Sequence, residues 1–201
     1  MIEALAAAHA RAVAALHAEA FPESFLTRLG PRVLARFYAE FAASEAGLGY
    51  VATEDGRIVG FVVATRSPAS FFGGFYRRNL LLVAGAVTRA LARDPRLRRH
   101  ARSRAGHLRY LVGGRPPAPA AAPPVAGARL LSIAVAPAAR GRGIADALVD
   151  ACRARLAADG VGDLGLSVLK ANAAARRFYA RTGWSVERET EDALYLHRPT
   201  G

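Results

Sequence analysis

Apolar residues recur along the chain in two rhythms, and the switches between them outline the fold. Val13, Leu16 and Ala20 fall at helical spacing, predicting a helix over about Ala7–Ala20 behind a short strand at Ile2–Leu5. Phe21-Pro22-Glu23-Ser24 breaks it. Val33, Leu34, Phe37, Tyr38 and Phe41 mark one side of a second helix, from Pro31 at a first turn to Ser44, with Gly47 as its stop. The rhythm then changes to that of strands. Tyr50–Thr53 and Ile58–Ala64 flank Glu54-Asp55-Gly56-Arg57, and Asp-Gly between two β-rich runs predicts a hairpin.

Residues 66 to 128 break the regularity. Helices are predicted at Phe75–Leu91 and Arg96–Tyr110, then a Pro-, Ala- and Gly-rich loop at Gly113–Gly127. The segment has too little apolar material for its own core, so it is expected to be an insertion in one domain spanning 1–201. Order resumes with a strand at Leu130–Val135, a helix at Gly141–Ala158, a strand at Leu164–Leu169 and a helix at Ala173–Thr182. Strands at Trp184–Thr190 and Ala193–His197 follow. Strand, helix, strand, helix and hairpin together predict a single α/β domain with a mixed sheet.

Composition agrees with a globular domain: 52% of residues are hydrophobic and 22% charged. The longest apolar run, Leu80–Val87, falls short of the roughly 18 residues a membrane span needs. The alanine-rich start is interrupted by Glu3, His9, Arg11, His17 and Glu19, unlike a secretory segment. Cys152 is the only cysteine, so no intrachain disulfide can form; it is expected in the core of a cytoplasmic protein. Net charge is +12, and Arg66–Arg115 carries nearly all of it, with arginines recurring against one acid, Asp94. Such a segment fits an anionic acceptor, or nucleic acid or an anionic membrane surface with Phe71, Phe72, Phe75 and Tyr76 as anchors, or a solvated face with no partner.

The residues with chemistry cluster in the last third. Arg140-Gly141-Arg142-Gly143-Ile144-Ala145 follows a strand and opens a helix, whose start leaves backbone N–H groups without partners and carries positive dipole charge. Glycines there let a diphosphate approach those donors; an ordinary turn is the alternative. Asn172 is suited to cap the next helix, where adjacent Phe178 and Tyr179 point roughly 100° apart, so that one can be core while the other faces a cleft.

Ser132-Ile133-Ala134-Val135-Ala136-Pro137, Arg-x-x-Gly-x-Ala at 140–145, and Asn172 through Phe178-Tyr179 to Gly183-Trp184 together resemble the GNAT superfamily of acyl-CoA N-acyltransferases. The resemblance implies a mostly antiparallel twisted sheet flanked by helices, with the basic, partly helical insertion placed before the cofactor-binding strand. It implies acetyl-CoA as co-substrate, no metal, and a primary amine as acceptor. Backbone groups of Ile133, Ala134 and Val135 would pair with the pantetheine arm. Arg140, Gly141, Arg142, Gly143, Ile144 and Ala145 would cradle the pyrophosphate, Asn172 would lie beside the arm, and Tyr179 would act as general acid toward the thioester sulfur.

The sequence departs from that pattern in its acids. Where the branch that acetylates ribosomal-protein N-termini carries a glutamate base, this chain has Ser167, and Arg129–Ala136 contains no acid. His17, Glu19 and Glu23 are candidate bases near the first helix–turn, each more readily understood as a surface residue; Trp184 is expected in the core. A longer acyl-CoA, or a CoA-binding regulatory module without catalysis, remains an alternative, and the chain is expected to be a monomer or a homodimer.

Overall fold

The computed structural model of the chain describes residues 1–93 and 127–201. The expected helix at Arg96–Tyr110 and nearly all of the expected loop at Gly113–Gly127 lie outside the described residues. In chain order the elements are β1 (Ile2–Ala4), a 3₁₀ turn (Ala7–His9), α1 (Ala10–Ala20), the single turn α2 (Phe25–Arg28) and α3 (Pro31–Ala43). Next come β2 (Gly47–Glu54), β3 (Arg57–Thr65), α4 (Pro68–Arg93) and β4 (Ala128–Val135). After them follow α5 (Ile144–Ala158), β5 (Asp163–Leu169), α6 (Ala173–Arg181), β6 (Ser185–Glu189) and β7 (Ala193–Pro199).

The seven strands form one sheet in the order β1-β2-β3-β4-β5-β7-β6, antiparallel at every join except β4 with β5. The β2–β3 hairpin turns through Asp55 and Gly56, both at positive φ (48° and 72°), which suits the right-handed twist of the flanking strands. Along β3 the side chains alternate between two cores. Phe61 and Val63 pack toward α1, α3 and α4, whereas Val62 and Ala64 pack toward α5 and α6. All four are fully buried, because this part of the sheet is covered on both faces.

Three expectations are corrected in detail. Gly47 does not stop α3; the helix ends at Ala43, and Gly47 opens β2 with the Phe41 backbone so close that an added Cβ would lie 2.8 Å from it. The helix after β4 begins at Ile144 rather than Gly141, because Gly141 and Gly143 adopt positive φ (78° and 74°) and form a turn instead. Finally, α4 begins at Pro68, well before the expected Phe75, and kinks at Asn79. Asn79 Nδ2 donates to Phe75 O (2.9 Å), and Arg36 Nε donates to Asn79 Oδ1 (2.8 Å), so the kink is tied to α3.

Aromatic packing explains why α4 extends through Gly73 and Gly74. Phe71 stacks on Phe41 at 4.1 Å, and Phe75 meets Phe37 edge-on at 5.4 Å, anchoring the glycine-containing turns. Two arginines of the basic segment are used in holding the fold. Arg78 pairs with the buried carboxylate of Glu40. Arg66 pairs with Asp159 at the end of α5 while donating to Glu45 O and Gly47 O at 3.0 and 2.8 Å.

Candidate functional site

The site begins with a divergence in the sheet. Strands β4 and β5 pair only through Ala128↔Leu164 and Arg129↔Gly165, then separate. Leu131 is an extra residue in β4, since Val63 pairs with Ser132 but Ala64 with Leu130. Past this bulge, Ala136 N–H donates to Val59 O at 2.8 Å. In an antiparallel ladder the outward and inward backbone groups alternate, so Ala134 turns its polar groups to β3, while Ile133 and Val135 present theirs to the gap. Arg140 Nε, donating to Val135 O at 3.0 Å, reaches one of those exposed carbonyls.

The gap leads to the turn before α5. Ala147 N–H makes the first helical bond, to Gly143 O (3.0 Å), and among the described residues the amides from Gly141 through Asp146 donate to no backbone carbonyl. With the dipole of α5 behind them, they present a cradle of donors and positive charge of the kind that suits an anion. No side chain lies within 4 Å of where a Cβ would stand on Gly141 or Gly143, so the cradle is open. A hollow of about 470 Å³ occupies it, lined by Val135, Ala139, Arg140, Gly141, residues 143 to 146, Phe178 and Arg181. A larger hollow of about 560 Å³ lies between the start of α3 and the second half of α4, lined by leucines, glycines and Ala86 together with Arg32 and Arg89.

Charge around the cradle is partly tied down. Arg142 donates to Glu54 Oε1 (3.1 Å) and to Ala138 O (3.2 Å). Arg181, unremarked in the sequence, stands on α6 with its guanidinium 5.6 Å from the Phe178 ring and 3.9 Å from Asp146. Its signal was its place one helical turn after Phe178, which puts both on one side of α6.

Asn172 caps α6, its Oδ1 accepting from Ala175 N–H at 3.0 Å. Of the adjacent aromatics, Phe178 faces the hollow and Tyr179 is the buried one, packed on Trp184 at 5.4 Å in the same core as Leu148 and Cys152. Ile133, Val135 and Ile144 pack against that same core, so Tyr179, the open edge of β4 and the start of α5 share one face of the sheet. Burial pushes the Tyr179 phenol up to about 12. It pushes the Cys152 thiol up to about 12 as well, so the thiol stays protonated in the core, as expected for a packing residue. Trp184 is also in the core, as expected.

Among the three candidate bases, Glu19 is exposed and Glu23 pairs with Arg28 at the surface. His17 is no surface residue: it is 5% exposed, and burial lowers its pKa from 6.5 to about 4. Its Nδ1 bonds the Tyr38 hydroxyl (2.5 Å) and its Nε2 the Ser24 hydroxyl (3.0 Å). Ser167 is exposed on β5. Among the described residues, no group of three or more His, Cys, Asp or Glu is placed to hold a metal ion, and no helix is long and apolar enough to cross a membrane.

A model of the acetyltransferase (GNAT) family matches residues 10–184. Solved structures share the fold over nearly the full length. SsHAT is 24% identical with a TM-score of 0.69, covering 100% of this chain and 98% of its own. The PaiA N-acetyltransferase from Thermoplasma acidophilum, in complex with coenzyme A, is 11% identical with a TM-score of 0.60 (99% and 98% covered). The ribosomal-protein-S18-alanine N-acetyltransferase from Escherichia coli is 18% identical with a TM-score of 0.56 (100% and 93% covered). Comparison with curated protein sequences found no match.

Proposed function

Because the chain belongs to the acetyltransferase (GNAT) family, we propose that it moves the acetyl group of acetyl-CoA directly onto a primary amine. The observation that carries this reading is the open edge of β4 running into the free amides before α5. An extended chain bearing amides can pair with the outward groups of Ile133 and Val135, and a diphosphate at its end meets the amides of Gly141 through Asp146. Ala134 lines the same strand with its side chain in the opposite core. Arg140, Arg142 and Arg181 supply positive charge around the diphosphate, and Asn172 fixes the start of α6 beside the arm. The coenzyme A held by the PaiA enzyme, whose fold this chain shares, supports the choice of ligand.

The chemistry is attack of a neutral amine on a thioester, with a thiolate leaving. Tyr179 is the acid of the proposal. Its raised pKa keeps the proton in place at neutral pH, and also makes the phenol a weaker acid, so its service is to hydrogen-bond the sulfur as charge develops there. Sulfur and phenol meet in a site sheltered by Phe178 and Trp184, where a hydrogen bond counts for more than in water.

Release of free thiol from acetyl-CoA tests the reading, with 1,4-diaminobutane, benzylamine and an alanyl tripeptide as acceptors and propionyl- and succinyl-CoA as competing donors. Amine-dependent thiol release fastest with acetyl-CoA is the expected result. Tight CoA binding with no release under any condition would make the chain a binding module and sink the proposal.

A further inference from the structure

The hollow of about 560 Å³ between the first turn of α3 and the second half of α4 shares no residue with the cradle, and its floor belongs to the core opposite Tyr179. Its size falls within the roughly 300–1,000 Å³ of small-molecule sites, which are mostly apolar with a few placed polar groups. Leu29, Val33 and Ala86 form that floor and are buried. Leu81 and Leu82 stand along one side, Leu81 88% exposed. One exposed leucine is ordinary. Two of them beside a hollow with an apolar floor leave unpartnered a trough that suits a chain of methylenes. Phe71 and Phe75, expected as anchors for a surface partner, are buried against α3 instead, and the large apolar side chains that α4 exposes lie beyond its kink.

Gly85 keeps the trough open. Glycine inside a helix is less favourable than alanine, and packing does not demand one here, since an added Cβ would meet no atom within 4 Å. What its bare Cα does is widen the hollow that it lines. Charge at the mouth has one sign. Arg32 and Arg89 line the hollow from opposite sides, both exposed, and among the described residues neither pairs with a carboxylate. From Leu29 to Ala35 and from Leu80 to Arg93 the sequence contains no acid. Two guanidiniums over an apolar trough select a ligand that is apolar along its length and anionic at one end.

We propose that this hollow is a binding site for a single-chain alkyl carboxylate, with its chain along Leu81, Leu82 and Ala86 and its head between Arg32 and Arg89. The site stands apart from the transferase reading, and no bond forms or breaks in it. The chain supplies the affinity by leaving water, and the arginines choose the sign of the head.

Calorimetry on the full chain tests the site, with decanoate as the probe and octanoate, acetate and decyltrimethylammonium beside it. Decanoate should bind saturably at one site. Octanoate, shorter by two methylenes, should bind roughly tenfold more weakly. Acetate should show no binding, because exposed arginines alone hold a carboxylate poorly. Decyltrimethylammonium, with the same chain and the opposite charge, should show none either. Gly85→Leu, which fills the hollow, should lose about tenfold in decanoate affinity while its urea midpoint stays at or above that of wild type. Arg32→Gln combined with Arg89→Gln should also lose about tenfold. No saturable decanoate binding, equal binding of decyltrimethylammonium, or undiminished affinity in Gly85→Leu would overturn the site. So would binding to phosphatidylglycerol vesicles with none to free decanoate, which would make this face a membrane surface instead.

Discussion

Acid should weaken this fold through one imidazole, and the size of the effect follows from where that ring sits. His17 lies between the rings of Phe21 (4.9 Å) and Tyr38 (5.6 Å), with both nitrogens bonded to hydroxyls. Protonating it places a charge in that pocket, with both ring nitrogens then obliged to donate to the hydroxyls. Its pKa falls on folding from 6.5 to about 4. Between those values the unfolded chain binds a proton that the folded chain refuses, so stability drops as pH falls through that window. Linkage gives a loss of about 2 kcal/mol from about pH 8 to about pH 5, rising to about 3 kcal/mol below about pH 4. Urea titrations of wild type and His17→Asn at several pH values would measure it. The variant starts less stable, but its stability should fall less on acidification, by about 2 kcal/mol at about pH 5. Carboxylates held low by cationic partners, such as Asp159 beside Arg66, weaken both proteins alike and cancel in the comparison. Parallel acid profiles for the two proteins would refute the argument.

Other consequences are nearer the proposed chemistry. Tyr179→Phe should lower kcat about 10²-fold with little change in acetyl-CoA Kd, checked by thiol release and calorimetry; a matching loss of affinity would instead mark a packing role. Gly143→Ala puts a Cβ on a backbone at φ 74°, at a cost of about 1–2 kcal/mol, and crowds the free amides, so both the urea midpoint and acetyl-CoA affinity should fall. Leu148→Ala, at a fully buried position on α5, should cost about 2–5 kcal/mol in urea unfolding.

Local chemistry made much of the fold legible in the sequence. Asp55-Gly56 announced the hairpin because few other pairs tolerate two positive φ values in succession. Leu148, Cys152 and Leu156 fall at helical spacing and mark α5, and its start was misplaced only because Gly141 and Gly143 resemble helix entry while taking turn conformations. What escaped depends on partners far along the chain. The first turns of α4 look irregular until Phe71 and Phe75 are seen against Phe41 and Phe37. His17 resembles a surface residue on a surface helix until Tyr38 arrives from α3 and Ser24 from the turn before α2. Arg66 and Arg78 count as loose positive charge in the sequence but are tied to Asp159 and Glu40 in the fold. The glycine turn before α5 was legible as a motif; Arg181 was not, because its place beside that turn comes from α6 leaning toward the start of α5.

The narrow join between β4 and β5 has a mechanical consequence. Two residue pairs are all that stitch one half of the sheet to the other along that seam, and beyond them the halves spread like the legs of a compass. A peptide-like chain laid into the crotch would complete the lattice that neither half closes alone, making the substrate a strut as well as a reactant. Each turnover would then begin by bracing the scaffold and end by releasing it, so that the rhythm of catalysis is also a rhythm of stiffness.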